Sequence, residues 1–153
     1  MKYRQLGQSG VEVSRLCLGA MMFGGGADAA ASERIIAVAR DSGVNFMDTA
    51  DAYTDGESER IVGRAIKSDR DHWILATKAG NELKGVAGSG GLSRRWLHQA
   101  IDGSLTRLGL DHVDIYYCHI DDGDTPLEET IAALGEIIAA GKARWFAISN
   151  FRA

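Results

Sequence analysis

The stretch Gly43-Val44-Asn45-Phe46-Met47-Asp48-Thr49-Ala50-Asp51-Ala52-Tyr53 decides how this chain is read. A short apolar run closes on Asp48, and a tyrosine follows five residues later in what reads as a strand-to-helix loop. A carboxylate at the end of a buried strand is expensive to desolvate unless it is paired or hydrogen-bonded. Asp48 therefore needs partners, and Tyr53, Lys78 and His119 are the residues positioned to serve.

Outward from this stretch, strands and helices alternate. Residues 2–13 read as a hairpin turning through Gly7-Gln8-Ser9-Gly10. Arg15 to Gly19 reads as a first buried strand, and a helix from about Ala29 to Ser42 places Ile35, Ile36 and Ala39 on one face, with Gly43 as its stop. After the opening stretch come a helix from Ser58 to Lys67 and a strand Trp73 to Thr77, too continuously apolar to be half-exposed. Ser93 reads as the N-cap of a helix carrying Leu97, Ala100, Ile101, Ser104, Leu105 and Leu108. Val113 to Cys118 is a fourth strand. Thr125-Pro126-Leu127-Glu128 reads as a capping box with proline at the first helical position, opening a helix that buries Ile131, Leu134 and Ile138. Lys142 to Ile148 is a fifth strand.

A repeat of roughly 30 residues in which strand and helix alternate indicates right-handed βαβ units and a parallel sheet. Two α/β architectures satisfy that pattern: an open doubly wound sheet and part of a (β/α)8 barrel. Five strands suffice for the first. The placement of polar groups favours the second.

Bulk composition narrows the function classes. The chain has 153 residues, 45% hydrophobic and 25% charged, with a net charge of -4. That is one ordinary globular domain with no basic footprint for nucleic acid. Cys17 and Cys118 lie in separate apolar runs and read as buried free thiols of a cytoplasmic protein. No stretch resembles a secretory leader or reaches membrane-spanning length.

The polar groups fall in register. Asp48, Lys78 and His119 close three successive strands, with Tyr53 in the loop after the first of them. In a (β/α)8 barrel the carboxyl ends of the strands form one rim, where catalytic groups from several strands gather. A tyrosine, with an ordinary pKa of about 10, is a poor acid at neutral pH unless a nearby cation stabilises its phenolate. Lys78 can be that cation, Asp48 can hold it charged and oriented, and His119 can donate to or orient a carbonyl. The other histidines, His72, His98 and His112, lie elsewhere, so no zinc set forms. Gly24-Gly25-Gly26 lacks the Lys-Ser/Thr of a P-loop, and Gly88-Ser89-Gly90-Gly91 does not fit Gly-x-Gly-x-x-Gly after a strand. Both read as loop glycines.

These residues also carry a family resemblance. Gly43 to Ala50, followed by Tyr53, Glu57-Ser58-Glu59 and Gly63, resembles the first signature of the aldo-keto reductases. Ala76-Thr77-Lys78 is similar to that family's lysine strand, and Tyr116-Tyr117-Cys118-His119 to its histidine strand. Gly141-Lys142-Ala143-Arg144 into Ile148-Ser149-Asn150-Phe151 resembles its fifth strand. The resemblance implies a (β/α)8 barrel that reduces aldehydes or ketones reversibly with NADPH, with NADH as the other nicotinamide donor. It implies Tyr53 as general acid, assisted by Lys78, Asp48 and His119. By the same resemblance Ser149 and Asn150 match the pair that hydrogen-bonds the nicotinamide carboxamide, and Asp48 would lie near the cofactor ribose and count as a cofactor contact. The loop Ala20-Met21-Met22-Phe23 would lie against cofactor and substrate, with Met21 as a contact.

Residues 1–153 thus read as one domain covering about five βα units of the barrel, behind a short N-terminal β-hairpin. A whole barrel takes about 250 residues. Strands six to eight, and the segments binding the cofactor's pyrophosphate and adenosine, fall outside this sequence. The expectation is that these 153 residues alone are inactive and expose apolar faces at two open edges, inviting self-association. Two other readings use the same residues. One is a non-catalytic, nucleotide-sensing subunit like the potassium-channel β subunits, and the other a Schiff-base lyase with Lys78 as nucleophile.

Overall fold

The structure, a computed structural model, describes residues 1–152. Strands β1 (Tyr3–Gln5) and β2 (Glu12–Ser14) form an antiparallel hairpin. Asn45 fastens it beneath the main sheet: its Oδ1 accepts from the Ser14 N–H at 2.7 Å and its Nδ2 donates to the Glu12 carbonyl at 3.1 Å. The main body alternates β3 (Cys17–Gly19), α1 (Ala29–Asp41), β4 (Phe46–Asp48), α2 (Glu57–Ile66) and β5 (Ile74–Ala79). It continues with α3 (Arg94–Leu108), β6 (Val113–Cys118), α4 (Leu127–Ala139) and β7 (Ala143–Ile148).

The five strands from β3 to β7 pair in parallel and in sequence order. That order separates the two candidate architectures. A doubly wound sheet reverses its strand order at a switch point, whereas a barrel adds each strand beside the last. The chain is an arc of a (β/α)8 barrel.

The core lies between this arc and its helices, around Met47, Trp73, Leu75, Ile61, Ile101 and Ile137, none more than 1% exposed. Helices α2 and α3 pack closely because Gly63 allows it. A Cβ at Gly63 would sit 1.9 Å from the Leu108 carbonyl oxygen, so any other residue would force the helices apart. Beside this contact the fully buried Glu59 accepts from Thr77 Oγ1 and from Arg107 Nε, each at 2.6 Å. A carboxylate so deep is tolerated only when paired and hydrogen-bonded, and these bonds tie α2, β5 and α3 together.

Several sequence expectations are corrected. Cys118 is buried, but Cys17 is exposed, because β3 has a strand neighbour on one side only among the described residues. The run Arg15 to Gly19 is for the same reason not a buried strand, and Leu16 is 62% exposed. On α1, Ile36 is buried while Ile35 is exposed with Val38. On α4, Ala133, Leu134 and Ile137 face the core, Ile131 is exposed and Ile138 is only half-buried. Both helices flank the arc, and their apolar stripes are wider than the single neighbouring helix can cover.

Ser93 caps α3 as expected, accepting from the Trp96 N–H at 3.3 Å. The capping box at Thr125 does not form. Asp122 captures that threonine, accepting from its hydroxyl at 2.6 Å and its N–H at 3.2 Å. Pro126 then becomes the N-cap itself, with extended ψ of 132° and no side-chain cap.

Candidate active site

The carboxyl ends of β4, β5 and β6 converge on Lys78, the next-to-last residue of β5. Its side chain is buried, and its ammonium donates in three directions. The acceptors are Asp48 Oδ2 at 2.6 Å, the Thr49 carbonyl at 2.9 Å and the Tyr53 hydroxyl at 3.1 Å. Three donors meet three acceptors, so the nitrogen is held as a cation in one position. The same ammonium stands 4.8 Å from the Tyr53 ring centre.

The loop from Thr49 to Tyr53 wraps this lysine. The Asp51 N–H donates to the Lys78 backbone carbonyl at 3.1 Å, while Lys78 Nζ donates back to Thr49. Thr49 is anchored from behind through Ser58, whose hydroxyl lies 2.8 Å from Thr49 Oγ1 and donates to the Ala20 carbonyl. Directly after Tyr53 the backbone turns left-handed three times, at Thr54 (φ 51°), Asp55 (φ 54°) and Gly56 (φ 82°). The two non-glycine residues each cost of order 1 kcal/mol or more there, a strain the surrounding contacts must offset.

His119 follows the last residue of β6 and continues the ladder, its N–H donating to the Ala79 carbonyl at 2.8 Å. Its ring meets the Tyr53 ring edge-on, with centres 5.7 Å apart. Burial, reinforced by the Lys78 charge, holds its pKa below the ordinary histidine value, so the imidazole is neutral at pH 7. The side chain of Asn81, a residue absent from the sequence reading, lies 3.0 Å from its Nδ1.

Asp48, Tyr53, Lys78 and His119 are therefore brought together. Ser149 and Asn150 sit one strand over, after β7, where the Ser149 N–H donates to the Cys118 carbonyl. Asn150 adopts φ 57°, which asparagine tolerates, and its Nδ2 donates to the His119 carbonyl at 2.8 Å and to Ser149 Oγ at 3.0 Å. Met21, in the loop after β3, is exposed. Among the described residues no group of three or more histidine, cysteine or acidic side chains has the geometry to hold a metal ion.

Behind the tyrosine loop lies a group with no place in the sequence reading. Asp51 is 1% exposed, and neither carboxyl oxygen has a hydrogen-bond partner among the described residues. Burial, with the nearby negative Glu59, pushes its pKa up to about 7 against the pull of Arg107. The folded protein thus holds a proton on Asp51 that the unfolded chain releases near pH 4. Its stabilising effect is complete below that pH and is lost as pH rises to about 7. At roughly 1.4 kcal/mol per unit this amounts to a few kcal/mol. Urea unfolding from pH 4 to 8 should show that decline, and Asp51→Asn should flatten it. An unchanged slope in the variant would contradict the assignment to Asp51.

Comparison with known proteins supplies the family. The profile of the Aldo/keto reductase family covers residues 15–153. The chain is 40% identical over 159 residues to the L-glyceraldehyde 3-phosphate reductase of Escherichia coli (strain K12), covering 99% of this chain and 46% of that protein. It is 38% identical over 157 residues to a probable voltage-gated potassium channel subunit beta of Oryza sativa subsp. japonica, covering 100% of this chain and 48% of that protein. The solved holo form of an aldo-keto reductase from Bacillus halodurans superposes with a TM-score of 0.91 at 40% identity, over 99% of this chain and 51% of that one. The chain spans about half the length of the curated relatives it matches. With a barrel arc, an ordered lysine at its rim and a profile match over nearly all its residues, this chain belongs to the aldo/keto reductase family.

Proposed function

We propose that the chain carries the catalytic half of an NADPH-dependent reductase of aldehydes or ketones. The observation that supports this most is the position of Tyr53, whose hydroxyl lies 3.1 Å from the Lys78 ammonium. As Tyr53 delivers its proton to a carbonyl oxygen, negative charge develops on the phenol oxygen, and the fixed cation stabilises it. Asp48 keeps Lys78 charged and aimed, and neutral His119 binds the carbonyl oxygen. The name of the Escherichia coli relative, a reductase acting on an aldehyde, supports a small carbonyl substrate.

The residues present suit a nicotinamide. Ser149 and Asn150 offer polar atoms for its carboxamide. Asn150 Nδ2 is already spent on His119 and Ser149, which leaves Oδ1 as its acceptor. Asp48 and Met21 complete the contacts this chain would make. Bound NADPH supplies the hydride, and NADH supplies the same chemistry. A cytoplasmic setting fits a nicotinamide reductase whose cysteines are both free.

The lyase reading loses support, because an ammonium that donates to three acceptors has no lone pair for a carbonyl carbon. The subunit reading has a potassium-channel relative on its side, but it gives no task to a complete Asp48–Tyr53–Lys78–His119 set.

Turnover is best tested on this chain joined to the second half-barrel of a relative, with the 153-residue chain alone in parallel. The joined protein should oxidise NADPH with an aldehyde, and the chain alone should not. Tyr53→Phe should lower turnover by about 10²–10⁴-fold while cofactor fluorescence still reports binding. Retained turnover in the variant would sink the role given to Tyr53.

We also propose that the chain by itself associates with a second copy. Among the described residues β3 and β7 each have one edge without a strand partner, and Leu16, Phe146 and Ile148 are each about half or more exposed along them. Such edges template pairing with another chain. Sedimentation of the chain alone should show concentration-dependent association that Ile148→Lys weakens. A monomer at every concentration would contradict this.

A further inference from the structure

Which nitrogen of His119 carries the proton decides what the ring can do. A neutral imidazole donates from one nitrogen and accepts at the other. Among the described residues the partner of Nδ1 is Asn81, whose Nδ2 lies 3.0 Å away, and Nε2 has none. With the amide nitrogen of Asn81 facing the ring, Nδ1 accepts and the proton sits on Nε2.

The backbone explains why Asn81 reaches this ring. β5 ends at Ala79, whose carbonyl receives the His119 N–H, so the two chain segments are still in register at the rim. Gly80 then adopts φ 130°, a conformation reserved for glycine, and its carbonyl is held by the Gly91 N–H at 2.9 Å. A Cβ at Gly80 would also press on Leu92 at 3.3 Å and Ile120 at 3.4 Å. The turn cannot be made by another residue, and it sends Asn81 back over the β6 rim.

We propose that Asn81 is a positioning residue: its amide fixes His119 as the Nε2–H tautomer, so that the ring presents a hydrogen-bond donor, not an acceptor, to the substrate carbonyl. The significance of that donor rests on the carbonyl-reduction reading, whereas the tautomer itself does not. Without Asn81 the ring would partition between two neutral forms, only one of which can bind a carbonyl oxygen.

Histidine-labelled nitrogen-15 spectra of the chain test this without any turnover. The four histidines are separated by the loss of one set of signals in His119→Gln. In the native protein at pH 7.5, the His119 signals should be those of a bare Nδ1 and a protonated Nε2. Asn81→Leu, which keeps the side-chain size and removes the donor, should shift the tautomer ratio about fivefold toward Nδ1–H, the weight of one ordinary hydrogen bond. Asn81→Asp, whose carboxylate only accepts, should move the proton to Nδ1. A protonated Nδ1 in the native protein would overturn the proposal outright, even if neither variant folds. An unchanged ratio in a folded Asn81→Leu protein would overturn it too. If the Nε2–H tautomer is found and no carbonyl is reduced, the functional reading fails while the assignment of Asn81 stands.

Discussion

The structure depends on one ammonium group held at the rim of the sheet. Lys78 is buried on a strand, where a lone positive charge would be too costly to keep, and three oxygens make it tolerable. Each oxygen comes from the segment Asp48 to Tyr53, so the lysine and this loop define each other. The loop carries a carboxylate at one end and a phenol at the other, and the cation fixes the distance of both. For the proton transfer proposed for Tyr53 that cation is needed in place before the substrate arrives, because reorganising it during the reaction would raise the barrier.

The rest of the molecule serves to keep this loop from relaxing. Ser58, on α2, bonds Thr49 and the Ala20 carbonyl at once, linking the loop to the turn after β3. Five residues further along α2, Gly63 lets α3 approach, and Arg107 of α3 reaches in to pair Glu59. Through Thr77 the same carboxylate touches the residue before Lys78. The left-handed run at Thr54 and Asp55 is strain held by this frame, and the buried carboxyl of Asp51 is a second cost beside it. A functional segment that stores strain is stable only because packing around it over-determines its shape.

Much of this was legible in the sequence, for reasons that are local. Asp48, Lys78 and His119 each close an apolar run, so their placement on one rim follows from strand direction alone, and Tyr53 follows from its spacing. What was not legible depends on contacts between distant segments. Glu59 and Arg107 stand 48 residues apart and read as surface charges on two helices until α2 and α3 are packed. Asn81 belongs to no motif, and its bearing on His119 depends on the glycine turn at Gly80. Helical periodicity locates the apolar faces of α1 and α4 but not what covers them, so Ile35 and Ile131 fall on core positions by spacing and are exposed in the structure. At Thr125 the local capping signal was sound, and a competing acceptor, Asp122, overrode it.

The central claim is that the Lys78 cation, more than any binding contact, makes Tyr53 a proton donor. The most direct measurement is the single-turnover rate of hydride transfer to an aldehyde in the joined barrel carrying Lys78→Met, with NADPH affinity measured on the same sample. Transfer should slow by about 10²-fold or more while affinity holds, the pattern of an interaction made chiefly in the transition state. Transfer at the native rate, or a loss confined to NADPH affinity, would contradict the account.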